Sequence, residues 1–187
     1  MNANTEALRQ TLLELLVQYA YKEGDFVLSS GQRSSYYINC KPVTLKAEGA
    51  LAIGKLLFTQ LPEETQAVAG LTLGADPIVT AVSLISALEN APIPGLIIRK
   101  EAKGHGTKAY IEGPSLKAGA KVVVLEDVVT TGKSALLAVQ RLRDAGYTVE
   151  WIVALVDREQ GGQQLYESEG LKFKTLFSIK ELKSNYQ

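Results

Sequence analysis

Two adjacent carboxylates and a glycine-containing turn share one short stretch, VVVLEDVVTTGKSA, at residues 122–135. An apolar β-branched run ends at Glu126 and Asp127, and a Thr-Thr-Gly turn (130–132) follows before a helical pattern. The unpaired N–H groups and positive dipole at a helix start favour a phosphate, and threonine hydroxyls add donors. Two carboxylates beside such a turn can bind a divalent ion or accept hydrogen bonds from vicinal hydroxyls. The pattern therefore predicts a sugar that carries both hydroxyls and a 5-phosphate.

Two other interpretations of this stretch remain open. A nucleotide-binding P-loop requires Gly-x-x-x-x-Gly-Lys-Ser/Thr, and Gly132, Lys133 and Ser134 match its end. Its first glycine is replaced by Asp127, which would repel a triphosphate and so disfavours a P-loop kinase. The simpler alternative is that Glu126 is a solvated charge at the end of a strand and Thr130 caps the helix.

A second group of candidate residues is cationic and follows the apolar strand pattern at 95–99. The group consists of Arg99, Lys100, Lys103, His105 and Lys108. Gly104 and Gly106 flank the only histidine, which is typical of a loop rather than of a buried core position. Long loops in compact domains tend to be lids or binding loops, and cations that close over a site suit a pyrophosphate leaving group. A solvated charged surface is the alternative.

Strands and helices that alternate along the chain must position these groups. Continuous apolar runs predict strands, and helical spacing of apolar residues predicts a helix over Lys133–Ala145. The predicted strands are residues 67–71, 95–99, 121–126, 150–156 and 172–178. Continuous apolar strands require burial on both faces, as in a parallel sheet covered by helices. In such an α/β fold ligands bind at the carboxyl ends of the strands, where the acid pair lies.

The first 40 or so residues have a different pattern. A helix is predicted with Thr5 as its N-cap and Gly24 beyond its end, followed by a hairpin over residues 25–40. Another helix is predicted over 46–61. The 187 residues suggest one domain, in which the N-terminal segment could cover the site.

The composition excludes several function classes. Twenty basic residues balance twenty acidic ones, which argues against binding nucleic acid through a broad basic surface. A single cysteine, Cys40, cannot form an internal disulfide. The N-terminal residues lack a secretory pattern, and no apolar run approaches a membrane span. These features predict a cytoplasmic protein without a membrane partner.

The acidic stretch resembles the phosphoribosyl-diphosphate signature of the type I phosphoribosyltransferases. That signature has apolar residues, two acids, two further apolar residues, and then Thr, a small residue, Gly and Thr or Ser. The resemblance implies the family's α/β fold, with a central, mainly parallel sheet flanked by helices and a small N-terminal hood. It implies one domain over residues 1–187, with the hood formed mainly by about 1–42 and the C-terminal end. The implied phosphoribosyl-diphosphate ligands here are Glu126, Asp127, Val128, Val129, Thr130, Thr131, Gly132, Lys133 and Ser134.

The cationic segment RKEAKGHG is similar to the catalytic loop of orotate phosphoribosyltransferases. The resemblance implies that Lys103 and His105 contact pyrophosphate, with Arg99 and Lys100 binding the diphosphate. Lys103, His105 and Asp127 would be the catalytic residues. In that family the loop serves the neighbouring subunit's site, so the resemblance also implies a homodimer.

Two further segments extend this resemblance. FVLSSGQRSSYYIN (26–39) is similar to the hood, and LVDREQGG (155–162) contains an Asp-Arg-x-x-x-Gly match. By this match Arg158 would bind the orotate carboxylate as a bidentate fork, with Thr130 and Tyr37 as the other orotate contacts. Ser29 replaces a lysine of several members and would be a weaker, neutral donor to the diphosphate. The chain also departs from others at Leu73 and Gly74, where they carry a Tyr-Lys pair.

The activity implied by the resemblance is transfer of the 5-phosphoribosyl group to orotate in pyrimidine biosynthesis. Mg²⁺ is expected, held mainly by substrate and water with no direct protein ligand. One rival is a purine or uracil phosphoribosyltransferase, although a base without a carboxylate has no need of Arg158. Another is a regulator that senses the ribosyl diphosphate and binds nucleic acid, against which the zero net charge counts.

Overall fold

The computed structural model describes residues 3–27, 31, 33–103 and 110–186. The chain opens with a helix and a separate two-stranded antiparallel sheet, which confirms the predicted hairpin. These elements are α1 (Ala3–Tyr19), β1 (Tyr21–Val27), β2 (Arg33–Ile38) and the short helix α2 (Lys41–Thr44).

The rest of the chain alternates between helices and the strands of one six-stranded sheet. In chain order the elements are α3 (Ala47–Phe58), β3 (Ala67–Leu71), α4 (Asp76–Leu88), β4 (Gly95–Ile98), β5 (Ile111–Glu112), β6 (Lys121–Val129), α5 (Lys133–Asp144), β7 (Thr148–Asp157), α6 (Gly162–Ser168), β8 (Lys172–Ser178) and α7 (Ile179–Asn185). The strand order is β5-β4-β3-β6-β7-β8, and only β5 pairs antiparallel. The predicted α/β fold with a mainly parallel sheet is confirmed.

Apolar side chains on both faces of the sheet bury the central strands. All five residues of β3 are buried, and β6 is buried from Val122 to Glu126. The chain direction across the sheet reverses between β3 and β6, because β4 lies on one side of this pair and β7 on the other. Such a switch point opens a crevice at the carboxyl ends of the strands, where α/β proteins bind ligands.

The two ends of the chain pack together. Arg9 of α1 pairs with Glu181 of α7 at 2.7 Å, and it also donates to the Leu176 carbonyl at 2.9 Å. The ring of Tyr186 meets that of Tyr21 edge-on. This packing brings the C-terminal helix to the N-terminal hairpin, while the division into hood and main body stays a prediction.

Three details differ from the sequence-based expectations. β6 does not end at Glu126, because the backbone of Val128 and Val129 continues to pair with β7. Thr5 lies inside α1 rather than ahead of it, and Gly24 lies within β1. In the described part of the chain, no helix has the length and apolar character that a bilayer span requires.

Candidate active site

The turn after β6 leads directly into α5 and surrounds a small pocket. Gly132 has φ = 85°, which L side chains rarely adopt, and a Cβ on it would lie 2.8 Å from Cε1 of Tyr166. Both constraints require glycine at this position. The pocket is lined by Glu126, Val128, Val129, Thr130, Thr131, Gly132, Lys133, Ser134, Ala135 and Tyr166. Eight of the nine residues predicted here as ribosyl-diphosphate ligands therefore line one pocket, and Asp127 is the ninth.

Glu126 is buried at this pocket and is not the solvated strand-end charge of the simpler interpretation. Glu126 is only 6% exposed, and its Oε2 has no hydrogen-bond partner among the described residues. Burial raises the pKa of Glu126 to about 8, and the negative charge of Asp127 adds to the shift, while Lys100 opposes it. A buried acceptor without a partner is rare, and it suits a ligand that brings hydroxyl groups.

Glu126 should make the stability of the ligand-free protein depend on pH. Its pKa is raised from 4.5 to about 8 in the folded state, so its stabilising effect is complete below pH 4.5 and is lost as pH rises through 8. Glu126→Gln, which cannot ionise, should therefore be more stable than the wild type at pH 9 but not at pH 5. The gain should be at most about 1.4 kcal/mol for each unit of pKa shift. Urea denaturation at both pH values checks this, and a difference that does not change with pH would contradict it.

Asp127 lies against the loop that follows β3. A Cβ on Gly74 would be 2.6 Å from both carboxylate oxygens of Asp127, so a larger residue there would displace this carboxylate. Oδ1 of Asp127 accepts a hydrogen bond from the Val128 N–H at 2.9 Å. Burial, and then the charge of Asp127, raise the pKa of the Cys40 thiol. Gly74 thus leaves room for the Asp127 carboxylate, whereas a contact of Gly74 with diphosphate stays a prediction.

Arg158 is a buried cation at the end of β7, 8% exposed. Its backbone N–H donates to the Val129 carbonyl at 2.9 Å, which places it beside Thr130 at the end of the neighbouring strand. Its Nε donates to the Tyr36 hydroxyl at 3.0 Å, and its guanidinium lies 4.8 Å from the centre of that ring. In the described part of the chain Nη2 has no partner, so one edge of the guanidinium lacks an acceptor.

The tyrosine beside Arg158 is Tyr36, whereas the resemblance predicts Tyr37 as the orotate contact. Tyr36 is 7% exposed, whereas Tyr37 is 44% exposed and packs on the ring of Phe26. Successive side chains of a strand point to opposite faces, so only one of two neighbouring tyrosines can face Arg158. Lys183 of α7 lies 4.4 Å from the Tyr36 ring and adds a second cation there. A contact of Tyr37 with the base stays a prediction.

The cationic segment is described only in part. Arg99 pairs with Glu112 of β5 at 3.1 Å. The Lys100 carbonyl accepts a hydrogen bond from Arg141 at 2.7 Å, and its ammonium is close enough to affect the pKa of Glu126. Lys103 is exposed. Ser29, His105 and Lys108 lie outside the described residues.

Solved structures with this architecture define the class of protein. The orotate phosphoribosyltransferase of Mycobacterium tuberculosis in complex with Fe(III) dicitrate has a TM-score of 0.81 and 36% identity, covering 94% of this chain and 98% of that one. Its complex with 5-phospho-α-D-ribosyl 1-diphosphate has a TM-score of 0.78 and 33% identity, covering 94% and 99%. The fold is that of the type I phosphoribosyltransferases.

The sequence comparisons identify the family within this class. The chain is 70% identical over 185 residues to the orotate phosphoribosyltransferase of Nostoc sp., covering 99% of this chain and 90% of that protein. It is 68% identical over 180 residues to that of Synechocystis sp., covering 96% and 91%. No family model matches the sequence. The chain belongs to the orotate phosphoribosyltransferase family.

Proposed function

We propose that this chain transfers the 5-phosphoribosyl group from 5-phosphoribosyl 1-diphosphate to orotate, giving orotidine 5′-phosphate and pyrophosphate in pyrimidine biosynthesis. The observation that carries the proposal is the buried guanidinium of Arg158, whose Nη2 has no partner in the part of the chain that the structure describes. Such a fork fits the planar carboxylate of orotate. Uracil and purines lack that carboxylate and would leave a buried charge unpaired, which is costly.

The sugar phosphate binds at the carboxyl end of β6. The turn from Thr130 to Ser134, at the start of α5, holds the 5-phosphate. Glu126 and Asp127 accept hydrogen bonds from the ribose hydroxyls and place negative charge near the anomeric carbon. That charge stabilises the positive charge that develops as the reaction passes through an oxocarbenium-like state.

Bond exchange then takes place at the anomeric carbon. A ring nitrogen of orotate, positioned by Arg158 and Thr130, forms the new C–N bond with inversion, and its proton passes to solvent. Pyrophosphate leaves with the electron pair of the broken C–O bond. Lys103 and His105 stabilise its charge as it departs, and Arg99 and Lys100 bind the diphosphate.

Mg²⁺ fits this site as an ion carried by the substrate. Two acids at one strand end are fewer oxygen ligands than a metal site built from protein groups requires, and within the described residues no group of three or more His, Cys, Asp or Glu is arranged for one. Oxygens of the diphosphate and ribose, with water, would supply the coordination, and the two acids would bind the ribose hydroxyls rather than the ion. When bound, the ion neutralises charge on the leaving group.

The proposal is tested by loss of orotate absorbance and release of pyrophosphate, measured with and without Mg²⁺. Orotate is expected to react, whereas uracil and hypoxanthine should react at least about a hundredfold more slowly, because neither offers a carboxylate to Arg158. Turnover of uracil or hypoxanthine in preference to orotate would assign a different base. Binding of the ribosyl diphosphate without pyrophosphate release would instead indicate a regulator.

A homodimer that shares the cationic loop is also part of the proposal. Five exposed leucines line one apolar groove beside α2, α3 and α4, and contiguous exposed apolar patches often mark protein–protein interaction sites. They are Leu45, Leu51, Leu73, Leu84 and Leu88, from 48% to 71% exposed. Lys41 and Asp76 line the same groove with opposite charges, so a two-fold axis can pair each with its counterpart on a second copy. Leu73 lines the groove, and the next residue, Gly74, lies against Asp127. The groove therefore extends to the proposed ribose-binding acids.

Charge placed on this face should separate the subunits. Leu84→Asp is expected to halve the mass measured by light scattering, because it buries a carboxylate in an apolar interface. Leu137→Asp is the matched control, since Leu137 is exposed on α5 and lies outside the groove. A monomeric wild type, or a Leu84→Asp dimer as stable as the control, would contradict the assignment.

A further inference from the structure

A buried tyrosine supports the phosphate turn from below. Tyr166 of α6 is 0% exposed, and its ring packs on Phe173 with centroids 5.2 Å apart. The hydroxyl end of the ring meets the turn, since a Cβ on Gly132 would lie 2.8 Å from Cε1 and 3.0 Å from Cζ. The Tyr166 ring therefore limits how closely the backbone of the turn can approach α6.

Two polar atoms of one pocket lack partners among the residues described. They are the Tyr166 hydroxyl and Oε2 of Glu126, and both residues line the pocket under the turn. One is a donor and the other an acceptor, and leaving both unsatisfied is unfavourable in a buried site. Asp157 also acts electrostatically on Tyr166, but its Oδ1 already accepts from the Glu159 N–H at 2.9 Å, and it does not line the pocket.

We propose that Tyr166 is a positioning residue that fixes the phosphate turn through its ring and donates its hydroxyl to Glu126 when the ribosyl diphosphate binds. The inference rests on the proposed function, because it assigns Glu126 to the ribose hydroxyls. A carboxylate that accepts these hydroxyls must be ionised, whereas burial favours its protonated form. A donated hydrogen bond from Tyr166 favours the ionised form.

The charges around Glu126 act in opposite directions, so a hydrogen bond from Tyr166 can still change its pKa. Asp127, the next residue of β6, disfavours ionisation of Glu126, while Lys100, just after β4, favours it. Burial, and then the charges of Glu126 and Asp157, raise the pKa of the Tyr166 hydroxyl, which therefore stays protonated and able to donate. Loss of the Tyr166 hydroxyl should therefore raise the pKa of Glu126 in the complex.

The pH dependence of kcat, measured with the ribosyl diphosphate and orotate both saturating, tests the inference, because kcat reports the pKa values of the substrate complex. Tyr166→Phe keeps the ring and should shift the acidic limb upward by about one pKa unit, so that the loss reaches about tenfold at pH values below the limb and disappears at high pH. Glu126→Gln should remove the limb in either background. Tyr147→Phe is the matched control, because Tyr147 belongs to the same core cluster but precedes β7, at the opposite end of the sheet.

Three outcomes would overturn the assignment. Tyr166→Phe could lose the same fraction of its rate at every pH, as expected if the hydroxyl contacts the phosphate, or it could lose none. The third outcome is the same shift of the acidic limb in Tyr147→Phe. A wild type that does not convert orotate would refute the proposed function instead. If Tyr166→Phe fails to fold, carboxyl-¹³C NMR of wild-type glutamate, assigned through Glu126→Gln, decides. A Glu126 pKa that does not fall when the ribosyl diphosphate is added would then overturn the inference.

Discussion

Replacing Lys103 with alanine is expected to lower kcat by about 10²–10³ without lowering Tm, because the residue stabilises departing pyrophosphate and not the fold. Lys103 is exposed, so its removal leaves no cavity. Steady-state kinetics and thermal denaturation measure the two effects. Lys117→Ala is the matched control, as another exposed lysine in a connecting segment. A Lys103→Ala enzyme within about threefold of the parent rate would show that the loop does not act on the leaving group.

The same variant also tests whether the loop acts across a dimer. Lys103→Ala subunits have an intact Arg158, and Arg158→Ala subunits have an intact Lys103. If the loop serves the partner's site, a mixed dimer contains one complete site, and a random equimolar mixture should recover roughly a quarter of wild-type activity. If each loop serves its own subunit, no complete site forms, and the mixture should stay as inactive as its components.

The main sheet could be predicted from the sequence because several of its strands are apolar runs that are recognisable without knowing what they pack against. β3 and β7 are continuous apolar runs that only a doubly covered parallel sheet can bury. The acid pair and the turn were located for the same reason, since they come directly after such a run. Gly132 was assigned to the phosphate turn, but its contact with Tyr166 depends on α6, which lies 30 residues further along.

The short elements, and the face of a strand to which a given side chain points, could not be predicted in this way. α2 and β5 have four and two residues, too few for a periodic pattern, and they form only because neighbouring elements hold them. Strand alternation allows either Tyr36 or Tyr37 to face Arg158, and the pairing with β1 decides between them. Glu126 shares its pocket with Tyr166 of α6, a residue 40 positions further along the chain. Side-chain environments at the site are thus tertiary properties.

Arg158 is the residue whose replacement should most change the choice of base. Arg158→Leu keeps much of the side-chain volume but removes the fork, and kcat/KM for orotate should fall about 10²–10³-fold, the equivalent of two hydrogen bonds to a charged group. The KM for the ribosyl diphosphate should hardly change, because its proposed ligands lie on β6 and the cationic loop. Arg158→Lys retains the charge without the planar fork and should recover only part of the loss.

The stability of the Arg158→Leu variant separates binding from folding. Arg158 is a buried cation whose Nη2 has no partner among the described residues, and its Nε donates to a hydroxyl, that of Tyr36, rather than to a carboxylate. Replacing such a charge by an apolar side chain is often neutral or stabilising, so Tm should be unchanged or higher even as orotate turnover falls. The ratio of orotate to uracil turnover, measured with Tm on the same samples, is the decisive quantity. A parallel loss of Tm and of activity toward both bases would mean that Arg158 supports the fold rather than the orotate carboxylate.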